Sequence, residues 1–144
     1  MLVLAACGAP VWGEETAAER ADVTRGLAVF LDRDLGHCVL CHAVAQLDVP
    51  FQGNIGPALT DVADRLSREE MEQKIMDPTR SNPQSAMPAY FRTRGLRQVA
   101  QAYVGKPVLN RQQLDDLLAY LGTLRSAGGA RSPAGSRSPG GVER

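Results

Sequence analysis

The stretch "GHCVLCHAV", residues 36 to 44, places two cysteines and a histidine within five positions, which is a spacing that can do chemistry. Three kinds of site use such a spacing: a structural zinc site, a redox-active disulfide and a covalent haem anchor. In each of them Cys38, Cys41 and His42 would be the functional side chains.

The zinc and disulfide interpretations each lack a necessary companion in the sequence. A structural zinc site needs four protein ligands, and the remaining candidates are Cys7 near the N-terminus and His37, which directly precedes Cys38. A thioredoxin-like disulfide requires a βαβ unit, whereas the flanks here are helical and loop patterns. Covalent haem attachment is favoured, because cysteines three positions apart can bind neighbouring vinyl groups and deliver the following histidine to the iron.

Elimination predicts Met87 as the second axial ligand. His37 lies beside the attachment site and cannot reach the opposite face of the haem, and methionine is the next common partner. Met1 falls in the leader, and Met71 and Met76 fall on a short helix where core packing is the ordinary role. Met87 instead stands in the irregular loop "SAMPAY", downstream of the anchor. The alternative is that the Met87 side chain only fills an apolar space in the loop, in which case the iron would bind water or no protein atom at that position.

A ligating histidine normally donates its other ring proton to a nearby acceptor. Pro57, in "GNIGPAL", follows the anchor closely and has no N–H. We therefore expect its backbone carbonyl to accept a hydrogen bond from His42. A plain turn is the alternative role. Asn82, in "RSNP", is a candidate for a hydrogen bond near the methionine sulfur, or else a turn former.

The elements that must position these residues are helical. A capping-box pattern predicts a helix from Thr16, another opens a helix at Ser67 that ends before Pro78, and Asn110 can cap a leucine-rich final helix. A further short helix is predicted over residues 93 to 105, and residues 47 to 63 form a loop. No alternation typical of strands occurs, so the fold class is all-α.

Composition and the chain ends limit the remaining possibilities. Sixteen basic and sixteen acidic residues balance in 144, which gives no indication of a nucleic-acid partner, and no apolar stretch is long enough for a transmembrane span. Residues 1 to 13 resemble a secretory leader without its basic start. Either "LAAC" acts as a lipobox that lipidates Cys7, or cleavage follows Val11-Trp12-Gly13, or the segment is retained. Residues 16 to 125 form the domain, and residues 126 to 144 are predicted to be a disordered tail.

The order of motifs resembles a class I cytochrome c. Gly26 and Phe30 on the first helix, then CVLCH, GP and MP, and then Tyr120 on the final helix follow that pattern. The resemblance implies helices packed around one covalently bound haem c, with the first and last helices crossing closely.

A more specific resemblance covers about residues 20 to 125, where "DPTRSNPQSAMPAYFR" and the run to "GKPVL" resemble SoxX, the monohaem subunit of SoxAX cytochromes. It implies an electron-accepting subunit of a periplasmic SoxAX-type L-cysteine S-thiosulfotransferase, in a heterodimer with a SoxA-like cytochrome. That complex couples thiosulfate to a cysteine of a SoxYZ-like carrier protein and passes electrons to a downstream acceptor. The reactive cysteine belongs to the SoxA-like subunit, so this chain would hold no catalytic residue.

Two other classes of function remain open at this point: a free-standing periplasmic carrier or the cytochrome subunit of another dehydrogenase, and, more distantly, a small metal-stabilised interaction domain.

The charge distribution along the chain is relevant to its partners. Residues 78 to 114 contain six basic and no acidic side chains. We therefore expect a positive face near Met87, suited to a partner subunit and to the thiosulfate dianion.

Overall fold

The computed structural model describes residues 20–127, and within that range the chain forms four helices and no strand. These are α1 (Val23–Leu31), α2 (Val62–Arg65), α3 (Arg68–Met76) and α4 (Arg111–Leu121). Short 3-10 turns lie at Cys38–Leu40, Pro78–Arg80 and Gln101–Tyr103. The all-α prediction is confirmed. None of the helices in the described range is long and apolar enough to cross a membrane.

Helix α1 begins later than the sequence pattern predicted. Thr16 lies outside the described residues, and the helix starts at Val23 with Asp22 as its N-cap. The Asp22 carboxylate accepts a hydrogen bond from the backbone N–H of Arg25 at 2.8 Å, which satisfies one of the free amides of the first turn. The amide of Asp22 itself donates to Asp116 at 2.8 Å. A contact with α4 therefore fixes where α1 starts.

The caps of α3 and α4 are those that the sequence predicted. The Ser67 side chain accepts from the Glu70 amide at 3.2 Å, and the Glu70 carboxylate accepts from the Ser67 amide at 2.8 Å. Asn110 and Gln113 make the same reciprocal pair, with both distances 2.8 Å. Helix α3 ends before the Asp77–Pro78 pair, as expected from the conformational restriction that proline places on the preceding residue.

The helix predicted over residues 93 to 105 is wrong: that region contains a single 3-10 turn, Gln101–Tyr103. Gly95, Gln98 and Gly105 have φ angles of 67°, 55° and 71°, in the left-handed region that interrupts a right-handed helix. The predicted loop at residues 47 to 63 is irregular up to Val62, where α2 begins.

Helices α1 and α4 cross in close contact at Gly26. A Cβ atom at Gly26 would lie 2.6 Å from the carbonyl carbon of Asp116 and 2.8 Å from Cβ of Tyr120, so only glycine permits this approach. The rings of Phe30 and Tyr120 pack beside it, with centroids 5.3 Å apart and planes at 60°. The crossing supplies the core on which the functional site rests.

A buried carboxylate joins the two helices at the crossing. Asp116 is 2% exposed, and its oxygens accept from Nε of Arg25 at 2.8 Å, from the Asp22 amide at 2.8 Å and from the Gln112 side chain at 2.9 Å. Burial by itself raises the pKa of Asp116, but the hydrogen bonds from Arg25, Asp22 and Gln112 outweigh it, and the pKa is lower than usual.

Replacing Asp116 with asparagine is expected to lower the free energy of unfolding by about 1–3 kcal/mol at pH 7, because the charged acceptor of four hydrogen bonds is lost. Since the folded-state pKa is lowered, this stabilisation is present above the unfolded-state pKa of about 4 and disappears as the pH falls through the folded-state pKa. Urea titrations of both proteins between pH 3 and 7 would measure the difference.

The matched control is the neighbouring carboxylate on α4. Asp115 pairs with Arg68 and Arg111 on the surface, at 2.8 Å and 3.0 Å, and its side chain is 27% exposed. Asp115→Asn should cost less than about 1 kcal/mol. Equal losses of unfolding free energy in Asp115→Asn and Asp116→Asn would contradict a special role for the buried pair of Asp116 and Arg25.

Candidate haem-binding site

The attachment segment is a single tight turn that follows α1. His37 precedes it with a φ of 41°, in the left-handed region, and the 3-10 turn Cys38–Leu40 follows. The backbone amides of Cys41 and His42 both donate to the carbonyl of Cys38, at 3.1 Å and 2.9 Å. Cys38 and Cys41 are both half-buried free thiols, and His42 is half-buried as well. The turn therefore holds two thiols and one imidazole in fixed positions relative to one another.

Burial raises the pKa of the Cys38 thiol to about 12. Burial thus disfavours the thiolate form of Cys38 in the chain without a bound group. Within residues 20–127, no three histidine, cysteine or carboxylate side chains are grouped so that they could hold a metal ion.

A loop of residues 53 to 59 runs beside the attachment turn and is bonded to it throughout. The amides of Gly53, Gly56 and Leu59 donate to the carbonyls of Val39, Cys41 and Ala43, at 2.9, 2.8 and 2.8 Å respectively. The loop has no regular secondary structure and the attachment segment has only one 3-10 turn, so these bonds satisfy backbone groups that a helix or strand would otherwise pair. They fix the position of the loop relative to the histidine.

This loop brings the carbonyl oxygen of Pro57 to 2.7 Å from Nδ1 of His42. With Nδ1 as the donor, the opposite ring nitrogen, Nε2, is unprotonated and has a free lone pair. Within the described residues Nε2 makes no hydrogen bond. The imidazole is thus oriented in the way that a ligating histidine requires.

Gly56 is a site residue that the sequence analysis did not identify. A Cβ atom at this position would overlap Cε1 of His42 and lie 2.6 Å from its Nδ1, so the backbone of Gly56 packs directly against the imidazole ring. The signal was present in the sequence, since the glycine directly precedes Pro57, but the contact depends on how the loop folds back onto the turn.

Met87 lies half-buried in the long loop between α3 and α4, and its side chain packs against the hydrophobic core. Its amide donates to Oγ of Ser85 at 3.2 Å. Of the other two methionines in the described range, Met71 on α3 is buried in the core, and Met76 packs against the core as Met87 does but lies at the end of α3.

Asn82 has a turn role in the same loop. Its side-chain oxygen accepts from the amide of Gln84 at 3.1 Å, and its carbonyl accepts from the amide of Ser85 at 3.0 Å. The residue is exposed. The polar side chain therefore folds the chain that leads to Met87.

The basic segment is divided into paired and unpaired side chains. Arg92 donates to Oγ1 of Thr79 at 2.8 Å and lies 3.6 Å from Asp77, while Arg111 pairs with Glu72 at 2.6 Å. Four exposed cations of this segment make no ion pair with any described residue: Arg80, Arg94, Arg97 and Lys106. These four, rather than all six, are available to a partner.

The cytochrome c family model matches residues 23–125, which is most of the chain and includes the attachment turn, the Pro57 loop and Met87. The chain belongs to the cytochrome c family. Membership implies covalently attached haem c. No curated protein matches the sequence at a significant level.

Among solved structures, this cytochrome c is similar to a chain in the crystal structure of SoxXA from P. pantotrophus, with a TM-score of 0.67 and 29% sequence identity. The match covers 74% of this chain and 83% of the other. It confirms both the class I cytochrome c fold and the resemblance to SoxX that the sequence indicated.

The residues present suit a haem c group. Two adjacent thiols, an imidazole oriented through Nδ1 and a thioether in a separate loop form the donor set of a His/Met cytochrome. In addition, the hydroxyl of Tyr120 is buried without a hydrogen-bond partner in the described part of the chain. Burial, and to a smaller extent Cys38, raises the pKa of Tyr120. A buried hydroxyl without a partner is consistent with a polar group being bound beside it.

Proposed function

We propose that this cytochrome c is the electron-transfer subunit of a SoxAX-type L-cysteine S-thiosulfotransferase. The observation that carries the proposal is the similarity to SoxXA over 74% of the chain at 29% identity. A shared fold alone would fit any class I cytochrome c, but the "MPAYFR" and "GKPVL" segments that resemble SoxX lie in the loops, where function varies among proteins of one fold.

Each site residue has a distinct role in this proposal. Cys38 and Cys41 would hold the haem through thioethers, and His42 and Met87 would bind its iron. Pro57 orients His42 by accepting the Nδ1 proton at 2.7 Å. When bound, the haem takes up and releases one electron at a time. The bond to Pro57 keeps the His42 ring in one orientation, and a methionine ligand would favour a high reduction potential.

The bond-making step belongs to the partner. Joining the sulfur of a carrier-protein cysteine to thiosulfate forms one S–S bond, releases the thiol proton and liberates two electrons. Once Cys38 and Cys41 are in thioethers, the only other cysteine is Cys7, which lies outside the described residues. A SoxA-like subunit therefore supplies the reactive cysteine, and this chain accepts one electron at a time and passes it to a downstream acceptor.

The location follows from the same proposal. Haem c is attached outside the cytoplasm in bacteria, and the apolar N-terminal residues are typical of an export signal, so the complex is placed in the periplasm. Lipidation of Cys7 would tether it there. Among the four unpaired basic residues named above, Arg97 lines the same pocket as Met87, and its positive charge would favour the partner subunit and thiosulfate.

The test is haem reduction by the reconstituted complex. We expect the matured chain to co-elute with a SoxA-like cytochrome, and its haem to become reduced when thiosulfate and a SoxYZ-like carrier are added together. Stopped-flow absorbance of the reduced haem would follow the reaction. A carrier whose acceptor cysteine is replaced by alanine is the matched control, and it should give no reduction.

A monomeric chain that is reduced equally well without the SoxA-like subunit would refute the proposal and favour a free-standing carrier. A pyridine haemochrome spectrum after acid–acetone extraction checks beforehand that the haem is covalently bound.

A further inference from the structure

Tyr90 connects the methionine loop directly to the attachment turn. It lies three residues after Met87, and its hydroxyl donates to the carbonyl oxygen of Gly36 at 2.7 Å, across 54 positions of sequence. Neither the hydrogen bond nor its partner follows from any local pattern.

The backbone of Tyr90 is held as firmly as its side chain. Its amide donates to the carbonyl of Ile75 in α3 at 3.2 Å, and its carbonyl accepts from the amides of Val108 and Leu109 at 2.9 and 3.4 Å. The ring packs against the hydrophobic core. Every hydrogen-bonding group of Tyr90 is therefore satisfied by a different part of the chain, and the residue lies where four segments meet.

The other end of the hydrogen bond is equally constrained. The Gly36 amide donates to the carbonyl of Val29 in α1 at 3.2 Å. A Cβ atom at Gly36 would lie 2.5 Å from that carbonyl oxygen and 3.1 Å from Sγ of Cys38. Gly36 is thus fixed to α1 and lies against the sulfur of the first attachment cysteine. Burial raises the pKa of Tyr90, so its hydroxyl stays protonated and remains a donor at physiological pH.

We propose that Tyr90 is a positioning residue that sets the distance between the Met87 loop and the Cys38–His42 turn, and so keeps the methionine sulfur on the iron. The inference rests on the ligand role of Met87 that is proposed above. Two axial ligands from separate segments need a fixed distance between those segments, and the Tyr90–Gly36 bond is a direct link between them.

The experiment measures how easily an external ligand displaces the methionine. Ferric holoprotein is titrated with imidazole, and binding is followed by loss of the far-red charge-transfer band. Tyr90→Phe keeps the ring in the core and removes only the hydroxyl. We expect it to bind imidazole about fivefold more tightly than the wild type, which corresponds to the loss of one typical hydrogen bond.

The chain provides a matched control in Tyr103. Its hydroxyl donates to the carbonyl of Asp34 at 2.6 Å, so it makes the same kind of bond to the same stretch of chain, two residues before Gly36. Tyr103 lies sixteen residues beyond Met87, in the 3-10 turn Gln101–Tyr103 further along the connection between α3 and α4. Tyr103→Phe should therefore leave imidazole affinity unchanged.

A second measurement separates positioning from stability. In Tyr90→Phe, the far-red band should disappear at a lower temperature than the helical circular dichroism, whereas in Tyr103→Phe the two should disappear together, as in the wild type. Unchanged imidazole affinity in Tyr90→Phe, or equal lowering of both midpoints, would overturn the inference. A wild-type protein without the far-red band would instead refute Met87 as a ligand, and the inference would fail with it.

Discussion

Replacing Met87 with alanine is expected to abolish the far-red charge-transfer band of the ferric protein. It should also lower the reduction potential by a sizeable part of the roughly 0.8 V that axial ligands span. The thioether is the only ligand proposed from that loop, and alanine has no atom that can replace it. Optical spectroscopy of the oxidised protein and a potentiometric titration would measure both effects.

Met76→Ala is the matched control. Met76 is half-buried like Met87, but it lies at the end of α3 and packs against the core. Its replacement should destabilise the fold by up to about 2 kcal/mol, less than for a fully buried methionine, and leave the band and the potential unchanged. If Met87→Ala kept both the band and the potential, Met87 would not be an iron ligand, and another axial group would have to be sought.

The parts of the structure that the sequence predicted correctly depend on residues close together in the chain. The capping boxes at Ser67 and Asn110 involve partners only three residues away, so the pattern carries all the information needed. The leucines of α4 repeat at helical spacing and bury on one face. The attachment turn is equally local, because the amides of Cys41 and His42 both donate to the carbonyl of Cys38.

The features that could not be predicted depend on distant partners. The start of α1 is fixed by Asp116, which lies 94 positions from Asp22, and the link from Tyr90 to Gly36 spans 54. Residues 93 to 105 have an acceptable helical composition, yet three left-handed residues direct the chain elsewhere. Local propensity had no means of indicating the start of α1 or the link from Tyr90 to Gly36, since long-range contacts determine them.

Gly56→Ala is expected to have the second large effect, through the histidine rather than the methionine. The new methyl group would occupy the space of the His42 ring, at 2.6 Å from Nδ1 and closer still to Cε1. Either the ring tilts away from the Pro57 carbonyl, or the loop moves and breaks the bond from the Gly56 amide to Cys41, which is 2.8 Å long. Overpacking of this kind costs about 1–3 kcal/mol.

The functional loss should exceed the loss of stability. The hydrogen bond from His42 to Pro57 fixes the ring and raises its basicity as a ligand, and losing such a partner typically weakens metal binding about 10- to 100-fold. We expect less haem per protein by pyridine haemochrome assay, and a ferric spectrum in which some molecules lack the histidine ligand. A fully loaded Gly56→Ala protein with a wild-type spectrum would contradict this contact.

Gly122→Ala is the control for the substitution itself. Gly122 ends α4 with a right-handed φ of −61°, and a Cβ atom there would lie 3.2 Å from the carbonyl of Leu118, which requires only a small adjustment. The change should leave haem content unchanged, and the reduced entropy of the unfolded chain would offset any crowding. If one added methyl group lowers the haem content at position 56 but not at position 122, the effect comes from the contact of residue 56 with the His42 ring and not from the loss of a glycine.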